Sequence, residues 1–486
     1  MKKTTRRELI VAAGATASAA AVPPAWGRLT SRRVGIGPGE FLDGVASGEP
    51  GPQAVTFWSR LRTDRPRTGA RLIVARDEAL NDVVAVTRVP SGRGVNHTLK
   101  ARVGGLDPST DYFFAWESST SMSEVGHTRT QPAPGAAAPL RIGFSSCQSY
   151  NQGYFGAHSH AAREPLDLYC FLGDYVYERG RVTAQAIRTD RIDAVDLKSY
   201  RRKYQLYRSD PELRELHRVH PMMHVWDDHE IENNYTQNDP APHPAQRLAG
   251  YRAAFEWLPR MVFPEDRFRI YKKLSYGSTA DVFFLDTRQY RQGHNDGRPR
   301  KLLGDAQMTW LINELRASRA VWKVIAQQVV ISQDPFGTGE HEDQWDGHPA
   351  DRLQLLGAIE QAGIPNVVFL TGDAHIFMVN RLATDFDDLA NRPSRVPAGI
   401  EYLSGSVTSP GSARSEAEVQ EAVPWNVQFN GNDHGYALMA MDGANLVTEY
   451  RRADYTQPNG AVEAFERFVQ PAGTNQVSRE RLVPSG

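Results

Sequence analysis

Cysteine is almost absent: Cys147 and Cys170 are the only two among 486 residues. A disulfide-built scaffold is thereby excluded, and the pair itself does not suit a crosslink. If their strand-like runs are parallel neighbours with aligned ends, the sulfurs are offset by about 13 Å, at ~3.3 Å per residue. Cys170 therefore reads as core filler and Cys147 as a thiol at a site. An excess of charge of one sign is also missing, with 56 Lys plus Arg against 57 Asp plus Glu. That balance leaves no footprint for nucleic acid or an anionic membrane. The uncharged stretch at residues 9–22 is too short and too Ala-rich to span a bilayer stably, and the chain shows no internal repeat.

What is present begins with Arg6-Arg7, that Ala-rich stretch, and Pro23-Pro24. This is the pattern of a twin-arginine export signal over residues 1–27. It implies the Tat translocase as a partner during export, a periplasmic, cell-surface or secreted location, and no transmembrane span once the signal is cleaved. The route carries folded proteins, so a metal ion can be loaded in the cytoplasm first.

From about Phe41 to Thr130, short alternating segments are punctuated by Gly, Pro, Asn and Asp, with no helical period. Leu106-Asp107-Pro108-Ser109-Thr110-Asp111-Tyr112 resembles the Leu-x-Pro-x-Thr-x-Tyr turn of fibronectin III-like domains. An all-β immunoglobulin/fibronectin III-like sandwich over residues 38–131 is expected. Residues 131–139 have the composition of a linker. Over 140–470, strand-like runs at 140–147, 168–172, 223–226, 281–286, 322–327 and 367–370 alternate with helical stretches at 197–207, 211–217, 244–258, 305–317 and 349–362. That is an α/β pattern. Strand character returns at 399–404 and 435–451, and residues 471–486 read as a loose tail.

Three carboxylate-rich clusters follow apolar runs of the kind buried on both faces of a parallel sheet. They are Gly173-Asp174-Tyr175-Val176-Tyr177-Glu178, Trp226-Asp227-Asp228-His229-Glu230 and Thr371-Gly372-Asp373-Ala374-His375. Ligands gather at strand carboxyl ends in such sheets. In the first cluster Asp174 is placed to bridge two cations, and Tyr177 is able to fold back to the same ion. A phenol becomes an anionic ligand only beside a strong Lewis acid, which favours ferric iron; the thiol of Cys147 points the same way. The second cluster packs like charges that need a compensating cation. Asp228 and Asn234, next to Asn233, are expected as oxygen ligands, and His229 as an acid or donor near the phosphate. Asp228 and His229 are the candidate catalytic residues. In the third, Asp373 and His375 are two apart and able to reach one centre from a turn.

These motifs, with Phe41-Leu42-Asp43-Gly44-Val45-Ala46-Ser47-Gly48-Glu49-Pro50, Ser145-Ser146-Cys147-Gln148 and Leu285-Asp286-Thr287-Arg288, resemble the PhoD-like alkaline phosphatases across most of the chain. The resemblance implies a four-layer αββα calcineurin-like metallophosphatase domain behind a small β-sandwich. It further implies one Fe3+ and two Ca2+ ions, related to the purple acid phosphatases through Gly-Asp-x-x-Tyr. Carried over by motif, Cys147, Asp174, Tyr177 and an aspartate from the Asp373 cluster hold iron. Asp228, Asn234 and His375 are the remaining ligands, with Asp174 bridging. The family commonly has Asp where Glu49 stands, in the β-sandwich and away from the site.

The expected activity is hydrolysis of small-molecule or polymeric phosphate esters by metal-bound hydroxide attacking in line. A glycosidase-like carboxylate pair would leave Cys147 and Tyr177 without purpose. Phosphomonoesterase and phosphodiesterase activities are both compatible. So is a phospholipase D-like enzyme acting on lipid headgroups or wall polymers. From another class, so is an exported binding protein with structural metals.

Overall fold

The computed structural model describes residues 35–180, 186–237, 241–263, 265–292, 300–333, 343–392 and 394–482. The export signal therefore lies outside the described residues. No helix among those described is long and apolar enough to cross a membrane.

Two sheets pack face to face. The larger has ten strands, in the spatial order Ser478–Arg481, Val462–Pro471, Asn445–Ala453, Gly435–Met441, Leu140–Ser145, Leu168–Phe171, Pro221–His224, Val45–Gly48, Ala54–Arg60 and Thr98–Gly104. The smaller has seven: Lys272–Tyr276, Ala280–Phe284, Trp322–Gln327, Val367–Thr371, Gly399–Ser404, Phe377–Leu382 and Asn426–Asn430. At the centre of each the strands run parallel and are buried along their whole length, as near-continuous apolar runs predict.

The two-residue period sorts these side chains into layers. Val282, Val324, Ala326, Val368 and Leu370 join the core shared with Ile142, Leu168 and Cys170. Their alternates Phe283, Ile325, Val367 and Phe369 pack instead with Met308 and Leu311 of helix Gly304–Ala317 and Leu355 and Ile359 of helix Pro349–Gln361. On the other side, helices Leu197–Tyr207, Pro211–Val219 and Pro244–Trp257 bring Tyr204, Leu213 and Trp257 onto the larger sheet. Each of the first two is opened by an aspartate cap, Asp196 on Ser199 and Asp210 on Glu212 and Leu213. The result is helix, sheet, sheet, helix.

The N-terminal strands do not stand apart. Val83–Gly92, Arg67–Ala75, Asp111–Glu117 and Gly126–Arg129 form their own sheet. It closes over Val55, Phe57 and Leu99 with Leu72, Val74 and Phe114, the Phe57 and Phe114 rings meeting edge-on at 4.8 Å. The opposing layer is the end of the ten-stranded sheet itself: Ser47 and Gly48 pair in parallel with Pro221 and Met222.

Two expectations change. The strand expected at 223–226 ends at His224, so Trp226 already belongs to the loop that carries the second cluster. Part of the expected loose tail is ordered: Ser478–Arg481 pairs antiparallel with Val462–Pro471, held by Arg479 on Glu466 and Glu416.

Burial makes the fold acid-sensitive. It pushes the imidazole of His158 down to about 3, and that of His220 down to about 4. Each keeps a value near 6.5 when unfolded, so below pH 6.5 the unfolded chain binds more protons and stability falls as pH falls. Chemical denaturation between pH 6.5 and 5 should show a loss that steepens towards about 1.4 kcal/mol per pH unit for each such histidine, and His158→Gln should flatten that slope. A level profile over this range would contradict the assignment.

Candidate metal centre

The carboxyl ends of the central strands open on one edge, and every expected site residue lies just beyond one of them. Cys147 follows Leu140–Ser145, Asp174 and Tyr177 follow Leu168–Phe171, Asp228, His229 and Asn234 follow Pro221–His224, and Asp373 and His375 follow Val367–Thr371. Backbone bonds from Cys147 N to Gly173 O, 3.1 Å, and from Gln148 N to Asp174 O, 3.2 Å, join the first two loops. The buried amide of Gln328 spans the sheets, donating to Trp226 O at 2.8 Å and Leu285 O at 3.1 Å. Cys147, Asp174, Asn234, Asp373 and His375 all have left-handed backbones, with φ of 61°, 57°, 53°, 59° and 56°. A left-handed non-glycine residue is strained by about 1–3 kcal/mol and persists only where its surroundings over-determine it.

The donor atoms form a chain of three overlapping groups, in each of which they lie within 4.8 Å of one another: Cys147 with Asp174 and His375, Asp174 with Asp228 and His229, and Asp228 with Asp227 and Asp373. Asp174 is shared by the first two, as a bridging carboxylate must be. The Tyr177 hydroxyl joins the first group, 3.4 Å from His375 Nε2 and 2.6 Å from Ser409 Oγ. The third cluster divides between the groups: His375 stands with the thiol and phenol, and Asp373 with Asp227 and Asp228. Left-handed turns at both residues part the side chains of Asp373 and His375. Asn234 is exposed, and its backbone N–H donates to Asp228 Oδ2 at 2.7 Å.

Negative charge dominates the site. Burial, reinforced by Asp228, Glu230 and Asp373 against His229, pushes the Asp174 carboxyl well above its ordinary range; burial, with Asp228 and Asp373 against Arg288, does the same to Asp227. Burial and the Asp174 charge also raise the Cys147 thiol and the Tyr177 phenol. Asp228 is lowered instead: burial would raise it, but His229, Arg288 and the Asn234 N–H prevail. Bound cations reverse this balance. The donor set fits metal ions on a further count, because Asp227 Oδ2 is buried with no hydrogen-bond partner. His375 Nδ1 is fixed by the Pro410 carbonyl at 2.8 Å, so its tautomer and ring orientation present Nε2 to the group.

Several residues that organise the site were not among the sequence candidates. Glu230, fully buried, accepts N–H bonds from Tyr175 at 2.6 Å, Asp227 at 2.8 Å and Asp174 at 3.1 Å. One carboxylate thus fixes the left-handed turn at Asp174 and ties it to the neighbouring loop. Arg288 is completely buried among aspartates: it ion-pairs with Asp227, forks onto Asp343 at 2.5 and 2.8 Å, and lies 3.6 Å from Asp373 and 3.9 Å from Asp228. Gln344 donates to Asp373 Oδ2 at 2.5 Å. Glu178 accepts from His229 Nδ1 at 2.8 Å, and the His229 ring lies over Tyr177 with centroids 4.2 Å apart. Only the run Leu285-Asp286-Thr287-Arg288, a strand end like the others, offered a signal for Arg288.

Strand-end carboxylates, a thiol, a phenol and an imidazole at the seam of two stacked sheets define a metallophosphoesterase. A family model for the PhoD-like phosphatases matches residues 142–450, and one for the N-terminal domain of these phosphatases matches 28–132. Alkaline phosphatase D of Bacillus subtilis (strain 168) is 33% identical over 472 residues, covering 88% of this chain and 80% of that protein. A solved structure of PhoD superposes with a TM-score of 0.84 at 31% identity, over 94% of this chain and 95% of that one. Purple acid phosphatase PPD1 of yellow lupin (Lupinus luteus), 14% identical, shares the fold at a TM-score of 0.59, over 88% of this chain and 73% of its own. The chain belongs to the PhoD-like phosphatase family and is a phosphoesterase hydrolase.

Two substitutions probe how the site is held. Gly173 has φ +113°, and a Cβ there would sit 2.4 Å from the Asp227 Cβ. Gly173→Ala should therefore destabilise the protein and weaken metal retention together. Glu230→Gln replaces an acceptor with a group that partly donates towards three N–H bonds. Metal affinity measured by calorimetric titration should fall at least tenfold while the melting temperature stays close to wild type. Unchanged metal affinity would refute the positioning role of Glu230.

Proposed function

We propose that the chain is an exported, metal-dependent hydrolase of phosphate monoesters and diesters, an alkaline phosphatase with phosphodiesterase capacity. The reading further takes residues 140–470 as the catalytic unit and 38–131 as a fibronectin III-like sandwich. The observation that carries it is the convergence of Cys147, Asp174, Tyr177 and His375 on one group that shares Asp174 with a second, formed by Asp174, Asp228 and His229. Thiolate and phenolate suit Fe3+, whereas Asp228, Asp373 and the amide of Asn234 suit Ca2+. When bound, the ions supply Lewis acidity to phosphoryl oxygens and an ionised nucleophile near neutral pH.

The chain's own residues supply the rest. The carboxylates, together with Glu230 and Arg288, fix the spacing of the two groups. Burial would lower the His229 imidazole, but Asp228, Asp174 and Glu178 hold it up at about 10. With Nδ1 engaged by Glu178, Nε2 is the atom that delivers a proton to the departing ester oxygen, a role worth ~10²–10⁴-fold in rate. The aspartate-rich edge and the Tyr177 ring beneath His229 hold that imidazole in place.

His229→Gln should lower kcat by roughly two to four orders of magnitude on p-nitrophenyl phosphate while melting temperature stays close to wild type. Asp174→Asn should abolish turnover with the fold retained. An Asp174→Asn protein that loses stability but keeps binding a partner would instead indicate structural metals. Elemental analysis of the exported protein should find iron and calcium; zinc alone with full activity would overturn the ferric assignment. Comparing p-nitrophenyl phosphate with its bis ester ranks the two activities.

A further inference from the structure

One more parallel strand ends at the centre. Gly399–Ser404 pairs with Val367–Thr371, and the short segment 405–410 beyond it touches three donor residues at once. Ser409, 1% exposed, places its hydroxyl 2.6 Å from the Tyr177 phenol oxygen and donates to the Cys147 carbonyl at 3.0 Å. The N–H groups of Thr408 and Ser409 reach that same carbonyl, each at 3.3 Å. The next residue, Pro410, accepts from His375 Nδ1 at 2.8 Å. Cys147, Tyr177 and His375 belong to three separate loops, and this segment is where all three are joined. It is itself braced, by Val407 N on Ser146 O at 3.0 Å and Ser406 Oγ on Ser409 O at 2.5 Å.

We propose that Ser409 is a positioning residue of the metal centre: its hydroxyl aims the Tyr177 oxygen at the group formed by Cys147, Asp174 and His375. The inference rests on the ferric reading above and adds to it a residue outside the donor set. A serine hydroxyl has one hydrogen to give and lone pairs to accept with. Towards a phenol it accepts, and its own hydrogen goes to the Cys147 carbonyl. Towards a phenolate it donates, and the carbonyl keeps the two N–H bonds from Thr408 and Ser409. The short contact to Tyr177 therefore survives in both forms, and no buried polar atom is left without a partner in either. Alanine fills neither role. Groups that orient a ligand in this way typically change metal affinity 10–100-fold when removed.

The test compares the exported wild-type protein with Ser409→Ala and Thr408→Val under challenge by excess EDTA, with iron release followed by elemental analysis. Thr408→Val is the control for a merely structural role: the Thr408 hydroxyl is as buried as that of Ser409 and donates to Ser149 O at 2.9 Å, away from the donors. Ser409→Ala should release iron about tenfold faster or more, and Thr408→Val at the wild-type rate, at similar melting temperatures. The visible spectrum gives a second readout. Removing a hydrogen bond from an iron-bound phenolate raises the energy of its electrons, so the charge-transfer band should move to longer wavelength in Ser409→Ala alone. Wild-type release and an unmoved band in Ser409→Ala, or the same acceleration in both variants, would overturn the positioning role and leave the ferric reading standing. A wild-type protein that carries no iron and takes up none from Fe3+ would overturn that reading and this proposal with it.

Discussion

Crowded negative charge at the meeting of two sheet edges is the constraint around which the site is arranged. Asp174, Asp227, Asp228 and Asp373 are drawn together by strand ends that parallel pairing holds in line, and Asp343 joins them through Arg288. Arg288 and Arg291, both buried, contact Asp343, and His229 faces Asp174 and Asp228. Separating buried charges of one sign from water demands compensation. The protein answers with a guanidinium fork, many backbone N–H donors and room for cations. Left-handed residues follow from the same demand, because ordinary strand or helix geometry would turn these side chains away from a common point.

The hydrogen bonds divide the labour. Glu230 and Gln328 make no part of the donor groups, yet each connects loops that are far apart in sequence. Rigid sheets set the coarse position of each loop, and these side chains set its final few tenths of an ångström. A bridging carboxylate tolerates little misplacement, since the atoms it would join are themselves fixed by separate strands.

Much of this was legible in the residues. Runs such as 367–370 are apolar at every position, which only a strand covered on both faces tolerates, and the polar cluster after each run had to sit at its end. The helical stretches expected at 197–207 and 244–258 match the helices to within a residue. Other features have no local signature. Arg288 matters because residues 227 and 343 arrive beside it, and neither is near it in sequence. The assignment of His375 rather than Asp373 to the thiol side depends on backbone torsions that a two-residue spacing does not encode. Residues 478–481 look like a polar tail because an edge strand with one exposed side carries no apolar run.

The ten-stranded sheet draws on both extremities of the described chain. Its strands come from residues 45–104 at one end and 435–481 at the other, with the site loops between them. Such long-range pairing raises contact order and slows folding. It also means that residues 435–481 must be made before the sheet is complete. The first strands synthesised wait for Pro221–His224, and the last one made seals the opposite edge. A partly made chain therefore holds neither an intact sheet nor the aligned strand ends on which the donor atoms depend.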